Sequence, residues 1–186
     1  MITAIKTDLS LYTNGWYKPG SKAKRLCWYA ANQLFLNTGI PFTSEFKTRL
    51  LKLFGAKIGK GFVIKPKVNI KYPWFLTIGN HVWIGENVLI DNLTQVHIGA
   101  NVCISQGAVL LCGNHNYTKT TFDLKIGPIT LEEGVWIGAG AIVCPGVTCK
   151  SHSVLSVSSV ATKDLKAYSI YQGNPAIMIK ERVFSV

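Results

Sequence analysis

The sequence predicts a mainly β protein built on a parallel β-helix, and three observations lead to this prediction. Aliphatic residues recur every six positions from Ile58 onward. Small or β-branched residues recur four positions after most of them, and glycine often follows the aliphatic residue directly. A period of six fits neither an α-helix nor a long amphipathic strand. It is typical of a β-helix, in which short strands stack coil upon coil.

The repeats extend over residues 58–165. The residues at the first position of each hexad are Ile58, Ile64, Ile70, Ile78, Ile84, Ile90, Ile98, Ile104, Leu110, Leu131, Ile137, Val143, Cys149, Leu155 and Ala161. Three hexads make one coil, so the series predicts about five coils. The glycines at the second position, such as Gly59 and Gly79, belong at corners where φ is positive or where crowding excludes a Cβ atom. Two long hexads, 70–77 and 90–97, predict small bulges.

Residues 1–57 are predicted to form a basic, helical segment ahead of the β-helix. They contain nine Lys and Arg residues against two acidic residues, whereas the remaining residues are nearly balanced. Residues 1–20 carry turn signals, and residues 22–37 and about 44–54 show helical spacing of apolar residues. Residues 166–186 are expected to form a short C-terminal tail.

One interruption breaks the repeat. Leu131 follows Leu110 by 21 positions, three more than three hexads require. The intervening polar stretch has no hexad pattern and predicts an excursion loop over residues 112–128. Loops on a rigid scaffold often carry function, so this loop is the first place to look for a site.

The cysteine pattern and the N-terminal residues indicate in which cellular compartment the protein is expected. The five cysteines form no CxxC pair and are odd in number, which does not fit a secreted disulfide framework. Residues 1–10 lack the apolar region of a signal peptide, and the apolar part of 22–37 is too short to span a bilayer. A reduced, cytoplasmic protein is expected.

Several motifs resemble those of the left-handed β-helix, hexapeptide-repeat acyltransferases, and the galactoside and maltose O-acetyltransferases in particular. The motifs are Pro128-Ile129-Thr130, Val135-Trp136-Ile137-Gly138-Ala139, Pro145-Gly146-Val147, Val160-Ala161-Thr162-Lys163-Asp164 and Gly173-Asn174-Pro175-Ala176. Including residues 22–59, the whole chain is similar to acetyltransferases of colanic-acid and related exopolysaccharide clusters. The resemblance implies left-handed coiling, a homotrimer, and acetyl-CoA-dependent O-acetylation of a saccharide, either free or lipid-linked.

The resemblance also implies a site. His115, in Gly113-Asn114-His115-Asn116, takes the place of the family's catalytic histidine, and a neutral imidazole suits a general base at cytoplasmic pH. Acetyl-CoA, the only cofactor implied, is expected in a groove between subunits. The residues expected to contact it are Gly138, Ala139, Val157, Thr162, Lys163 and Lys180, with the Ala139 N–H facing the thioester oxygen. Arg182 could substitute for Lys180.

The acceptor is expected near Asp91 or Asn92, and Trp136 could stack on the sugar. A corner turn explains the Asp-Asn pair equally well, and Trp136 could instead pack at a subunit interface. No metal is expected, since no two histidines have the five-residue spacing of the zinc enzymes that share this solenoid. Another acceptor, such as an amino sugar, serine or an antibiotic, or a non-catalytic scaffold remains an alternative function.

The basic helix over residues 22–37 has two interpretations. It could cap the open end of the β-helix, where strand edges would otherwise be unpaired. It could also lie on a membrane surface at the inner face of the membrane, because Lys22, Lys24 and Arg25 precede an apolar stretch. The two roles are compatible. Nucleic-acid binding is not expected, because no motif supports it.

Overall fold

A computed structural model of the protein describes residues 5–185, and its body is a β-helix followed by a hairpin. The strands in chain order are β1 (Lys57–Ile58), β2 (Val63–Ile64), β3 (Asn69–Ile70), β4 (Leu76–Ile78), β5 (Trp83–Ile84), β6 (Leu89–Asp91), β7 (Val96–Ile98), β8 (Cys103–Ile104), β9 (Val109–Leu111), β10 (Gly113–His115), β11 (Leu124–Ile126), β12 (Ile129–Leu131), β13 (Trp136–Ile137), β14 (Ile142–Val143), β15 (Thr148–Cys149), β16 (Val154–Leu155), β17 (Val160–Ala161), β18 (Ser169–Gly173) and β19 (Ala176–Glu181). Residues 1–4 and 186, at the ends of two predicted segments, lie outside the described residues.

The strands form three faces of parallel pairs. The first face contains β1, β4, β7, β12 and β15, the second contains β2, β5, β8, β13, β16 and β18, and the third contains β3, β6, β9, β14 and β17. Residues in equivalent positions stack in register, as Ile58 does on Ile78. Residues 57–161 thus make five complete coils, and β18 begins a sixth. The predicted left-handed β-helix with an N-terminal helical segment is confirmed.

The interior is filled by the two repeating positions that the sequence indicated. First-position residues such as Ile70, Ile90 and Leu110 are completely buried, and so are fifth-position residues such as Val88 and Ala108. Each coil lies about 4.8 Å above the previous one, the spacing of hydrogen-bonded strands. Aliphatic first-position and smaller fifth-position side chains therefore share most layers of the core, whereas the first coil has Phe62 at a fifth position and the last has Cys149 and Ala161 at first positions.

Crowding, rather than positive φ, explains the second-position glycines. A Cβ atom on Gly79 would lie 2.6 Å from the backbone nitrogen of Ala100 in the next coil, and one on Gly85 would lie 2.6 Å from that of Gln106. The left-handed conformation occurs two residues later, at the fourth position. There φ is +68° at Gly61 and +57° at His81.

The N-terminal segment covers the open end of the first coil. Helix α1 (Lys22–Ala31) continues as a π-helical turn, Asn32–Leu36, and α2 (Ser44–Leu53) follows. The indole of Trp28 donates to the Ile70 carbonyl, and Asn32 accepts from the Ile70 N–H. Ser44 accepts from the Ile64 N–H in the same way. These contacts give the strand edge its missing partners and support the capping role.

The C-terminal tail, residues 166–186, contains a β-hairpin. Strand β18 pairs in parallel with β16 on the second face, and β19 returns antiparallel to β18. The hexad count breaks after Ala161 because Leu165, only four residues later, stacks on Cys149; β18 then continues the second face before β19 turns back. The hairpin places Lys180 and Arg182 beside the last coils.

Candidate active site

The predicted excursion loop forms a β-hairpin that leaves the coil after β9. Strands β10 and β11 pair antiparallel, with His115 opposite Leu124. At the hairpin end, the Asp123 carboxylate accepts hydrogen bonds from Thr121 and Lys119, which lower its pKa. The hairpin therefore holds His115 on a paired strand rather than on an irregular loop.

The imidazole of His115 has a defined orientation. Its Nδ1 lies 2.9 Å from the carbonyl oxygen of Phe122, and its ring stacks on that of Phe122 with centroids 4.5 Å apart. A carbonyl oxygen only accepts hydrogen bonds, so Nδ1 of the neutral ring carries the proton. Nε2 is then left with a lone pair, which is the arrangement that a general base requires.

His115 lines a cavity of about 660 Å³ at the corner between the third and first faces. The lining also includes Asp91, whose carboxylate accepts from Lys71 at 2.7 Å, and Tyr12, Asn14 and Tyr17 from the N-terminal segment. The Asp8 N–H donates to the Thr120 carbonyl and joins that segment to the hairpin. The sequence did not predict that these N-terminal residues belong to the site. Turn-forming residues indicate only local backbone structure, and His115 lies about a hundred positions later in the chain.

Tyr17 contributes a hydroxyl group that stays protonated. It donates to the Leu93 carbonyl at 2.6 Å. Burial, and to a lesser degree the nearby Tyr72 and Asp91, raise the pKa of the Tyr17 phenol well above its ordinary value. The phenol is therefore a permanent hydrogen-bond donor in this wall of the cavity.

Asp91 and Asn92 have different places in the structure. Asp91 lines the same cavity as His115, and its contact with the acceptor stays a prediction. Asn92 is completely buried, and its amide accepts from the Tyr72 N–H and donates to the Tyr72 carbonyl. Both polar atoms are used inside the protein, so Asn92 holds the corner together and is not available to a substrate. This is the turn role that the sequence left open.

A second cavity, of about 760 Å³, lies at the corner between the second and third faces. Five of the predicted site residues line it, namely Trp136, Gly138, Ala139, Val157 and Lys180. Arg182 lines it as well. Trp136 is thus placed with the expected donor residues rather than beside His115. Its indole donates to the Ser105 hydroxyl at 2.9 Å.

Two groups in this second cavity suit an anionic, thioester-bearing ligand. The Arg182 guanidinium donates to the carbonyls of Gly134 and His152, which fixes a cation at the cavity wall. The Ala139 N–H donates to no acceptor within residues 5–185, although its carbonyl accepts from Ser158. An unpaired amide in a cavity can bind an oxygen on which negative charge develops.

Thr162 and Lys163 lie apart from both cavities. They are exposed residues that follow β17 on the third face, and neither contributes to the lining of the second cavity. The adjacent Asp164 accepts from the Thr148 N–H, so this turn is anchored to the last coil. Within one chain, the predicted nucleotide contacts therefore divide between Lys180 and the Thr162–Lys163 turn.

The other histidines have structural surroundings. His81 and His152 occupy left-handed fourth positions, and their rings lie over Gly61 and Gly134 of the preceding coil. His97 is exposed on β7. Across residues 5–185, no three His, Cys, Asp or Glu side chains come close enough to hold a metal ion. No helix in the same range has the length and apolar character needed to cross a bilayer.

No family model matches the chain. It is 36% identical over 167 residues to a protein of Escherichia coli K12 named as a colanic acid biosynthesis acetyltransferase, covering 90% of this chain and 92% of that protein. It is 30% identical over 148 residues to the galactoside O-acetyltransferase of the same strain, covering 78% and 73%. A solved galactoside acetyltransferase in complex with coenzyme A superposes with a TM-score of 0.70 at 27% identity, covering 86% and 80% of the two chains.

A further structure, a hexapeptide-repeat acetyltransferase of Vibrio cholerae complexed with acetyl coenzyme A, shares the fold with a TM-score of 0.78 at 21% identity. It covers 88% of this chain and 89% of that one. Fold and site together define an acyltransferase built on a β-helix. The chain belongs to the hexapeptide-repeat acetyltransferases, and the resemblance noted in the sequence is confirmed.

Proposed function

We propose that the protein transfers the acetyl group of acetyl-CoA to a saccharide hydroxyl in the synthesis of an exopolysaccharide or another surface polysaccharide. The observation that carries this proposal is the His115 imidazole, held by the Phe122 carbonyl with Nε2 available. The names of the two Escherichia coli relatives support a saccharide acceptor. The coenzyme A complexes of two structural neighbours support the donor.

In the proposed reaction, Nε2 of His115 accepts the proton of the sugar hydroxyl as its oxygen attacks the thioester carbon. The carbonyl oxygen becomes negatively charged and receives a hydrogen bond from the Ala139 N–H. Collapse of this intermediate forms the ester and breaks the carbon–sulfur bond. The leaving coenzyme A thiolate then takes the proton from the His115 imidazolium. Holding both substrates in one site supplies much of the rate.

A homotrimer reconciles this reaction with the position of the two cavities. His115 and Ala139 lie at different corners of the same β-helix. A neighbouring subunit would place its own second cavity opposite His115. The exposed indoles of Trp83 and Trp136 on the second face are suited to packing at such a contact. In this arrangement Thr162 and Lys163 approach the nucleotide end of acetyl-CoA from one of the two subunits.

A peripheral membrane contact on the cytoplasmic side is a second part of the proposal. Leu26, Tyr29 and Leu34 are 70%, 64% and 61% exposed beside basic Lys22 and Lys24. Such a surface suits anionic lipids and would bring the enzyme to a lipid-linked acceptor. Replacing the three apolar residues by serine should abolish co-sedimentation with phosphatidylglycerol vesicles. Equal binding of this variant and the unmodified protein would contradict the contact.

The His115→Ala variant tests the mechanism. Loss of the general base should lower kcat for acetyl transfer by about 10²–10⁴-fold, while the affinity for acetyl-CoA stays unchanged. The assay measures thiol release from acetyl-CoA with galactoside and glucoside acceptors, and calorimetry measures acetyl-CoA binding. The exposed His97→Ala variant is the matched control. A folded His115→Ala variant with full activity would contradict the proposed role of His115 as general base.

A further inference from the structure

A third cavity, of about 460 Å³, adjoins the one that contains His115. It lies between α1 and the third face of the first two coils. Four residues line both cavities: Arg25, Lys71, Tyr72 and Asp91. A ligand whose hydroxyl group lies at His115 can therefore extend past these residues into the space beside α1.

The charges at the junction leave one cation in excess. Lys71 is paired with Asp91 at 2.7 Å, but Arg25 forms no ion pair with any residue in the described range 5–185. The Nε atom of Arg25 is buried and has no hydrogen-bond partner there. A buried N–H of a charged group without an acceptor is costly, since water has been removed and nothing replaces it. The charge of Arg25, which lines both cavities, therefore has no counter-charge among the described residues.

Two of the other polar side chains around the cavity, Trp28 and Asn32, are already engaged within the protein. The Trp28 indole donates to the Ile70 carbonyl, and the side chain of Asn32 binds Asn69 and the Ile70 N–H. The aromatic side chains of Tyr29 and Tyr72 form part of the remaining wall. Among the charged side chains that line this cavity, Arg25 is the one without a partner of opposite charge in the described residues.

We propose that this third cavity binds an anionic group, a carboxylate or a phosphate, carried by the same acceptor whose hydroxyl group is acetylated at His115. The inference rests on the proposed function and narrows its substrate class to an acidic saccharide or a sugar phosphate. The planar guanidinium of Arg25 matches the oxygens of either group. Asp91, between the two cavities, repels the anion from the His115 side and thereby orients the acceptor.

Binding of small probes tests this site without turnover. Calorimetry compares methyl β-D-glucoside, methyl β-D-glucuronoside and glucose 1-phosphate at one fixed salt concentration. Of the two anionic probes, the one with the higher affinity should bind at least about tenfold more tightly than the neutral glucoside, as expected for a charge-assisted hydrogen bond. Whichever anion binds more tightly identifies a carboxylate or a phosphate as the natural group. Equal affinities of all three would overturn the proposal.

Three variants make the test specific: two with opposite expected effects on the preference for the anion, and one control. Arg25→Gln should reduce the preference for the anion to about twofold or less, because the unpaired charge is gone. Lys22→Gln, on the same helix but exposed, should keep the full preference. Asp91→Asn should increase the preference, because Lys71 loses its partner. A preference that is the same in all three variants would reflect only the net positive charge and would also overturn the site.

This experiment is independent of the proposed reaction. The probes bind without acetyl-CoA, so inactivity of the enzyme would not prevent the measurement. The two proposals can also fail separately. If His115→Ala lowered kcat for acetyl transfer to neutral sugars as expected, but the protein bound anionic and neutral probes equally well, only the anionic subsite would be rejected.

Discussion

At the scale of single residues, the backbone of the neighbouring coil decides which side chains are allowed. A Cβ atom on Gly79 would lie 2.6 Å from the Ala100 nitrogen, which is far inside normal contact. At Gly107, by contrast, a Cβ atom would have open space, with its nearest neighbour at 3.9 Å, but φ is +68°. The first glycine is needed for lack of space, and the second for its conformation.

Substitution of these two glycines by alanine should lower the free energy of unfolding by different amounts. Gly107→Ala should lower the free energy of unfolding by about 1–2 kcal/mol, the cost of a left-handed conformation for an L-residue. Gly79→Ala should cost more than this, because the coils must separate to accept the methyl group. Urea unfolding of both variants measures the difference. Equal costs would show that space between coils is not limiting.

A buried thiol predicts how stability depends on pH. Burial raises the pKa of the Cys149 thiol to about 12 from an ordinary value of 9.0. Between these pH values the unfolded chain loses the proton and the native protein retains it, so the free energy of unfolding falls as pH rises. Cys149→Ala should make this fall shallower by up to about 1.4 kcal/mol per pH unit.

The measurement is urea unfolding at several pH values above 9. Cys27→Ala, which removes an exposed thiol, is the matched control. If Cys149→Ala and Cys27→Ala showed the same slope against pH, the buried thiol would not be the origin of the alkaline loss of stability.

At the scale of elements, the helical segment stabilises the molecule by completing the first coil. Asn32 serves two groups of that coil, the Ile70 N–H and the Asn69 side chain. Asn32→Ala should therefore lower the free energy of unfolding by about 1–3 kcal/mol, since a buried donor is left without an acceptor. Gln33→Ala, at the exposed neighbouring position, should cost far less. Thermal and urea unfolding compare the two; equal losses would contradict the capping role of Asn32.

At the scale of the whole molecule, the proposed trimer predicts complementation between two inactive variants. His115→Ala lacks the base, and Val157→Trp fills the second cavity, in which Val157 is 64% exposed. Random mixed trimers should regain about one quarter of the activity, since each interface needs one intact residue of each kind from different subunits. The measurement is acetyl transfer after the two variants are co-refolded, with size-exclusion chromatography to confirm the trimer.

Complementation would fail if both residues served a site within one chain. Mixed trimers would then stay as inactive as the two parents, and the shared site would be rejected. Co-refolding either variant with the unmodified protein is the control for assembly.

Much of this molecule was predictable because its fold repeats a local rule. Ile70, Ile90 and Leu110 stack in successive coils, so a count of six residues is enough to place them on one face. The excursion that carries His115 was predictable as well, because the count is interrupted there. The hairpin from β18 to β19 was not, since antiparallel pairing outside the coil has no six-residue period.

By itself, the sequence determined the β-helix, the number of its coils and the segment that carries His115, since each depends on neighbours a few residues apart. Only the tertiary structure decided that Tyr17 and Arg25 reach the His115 cavity, that Asn92 is a corner residue, and that His115 and Ala139 occupy separate corners. These are contacts between distant segments, formed where the chain leaves the coil. Their physical origin is the packing of the N-terminal cap and the hairpin against the solenoid, which no local period encodes.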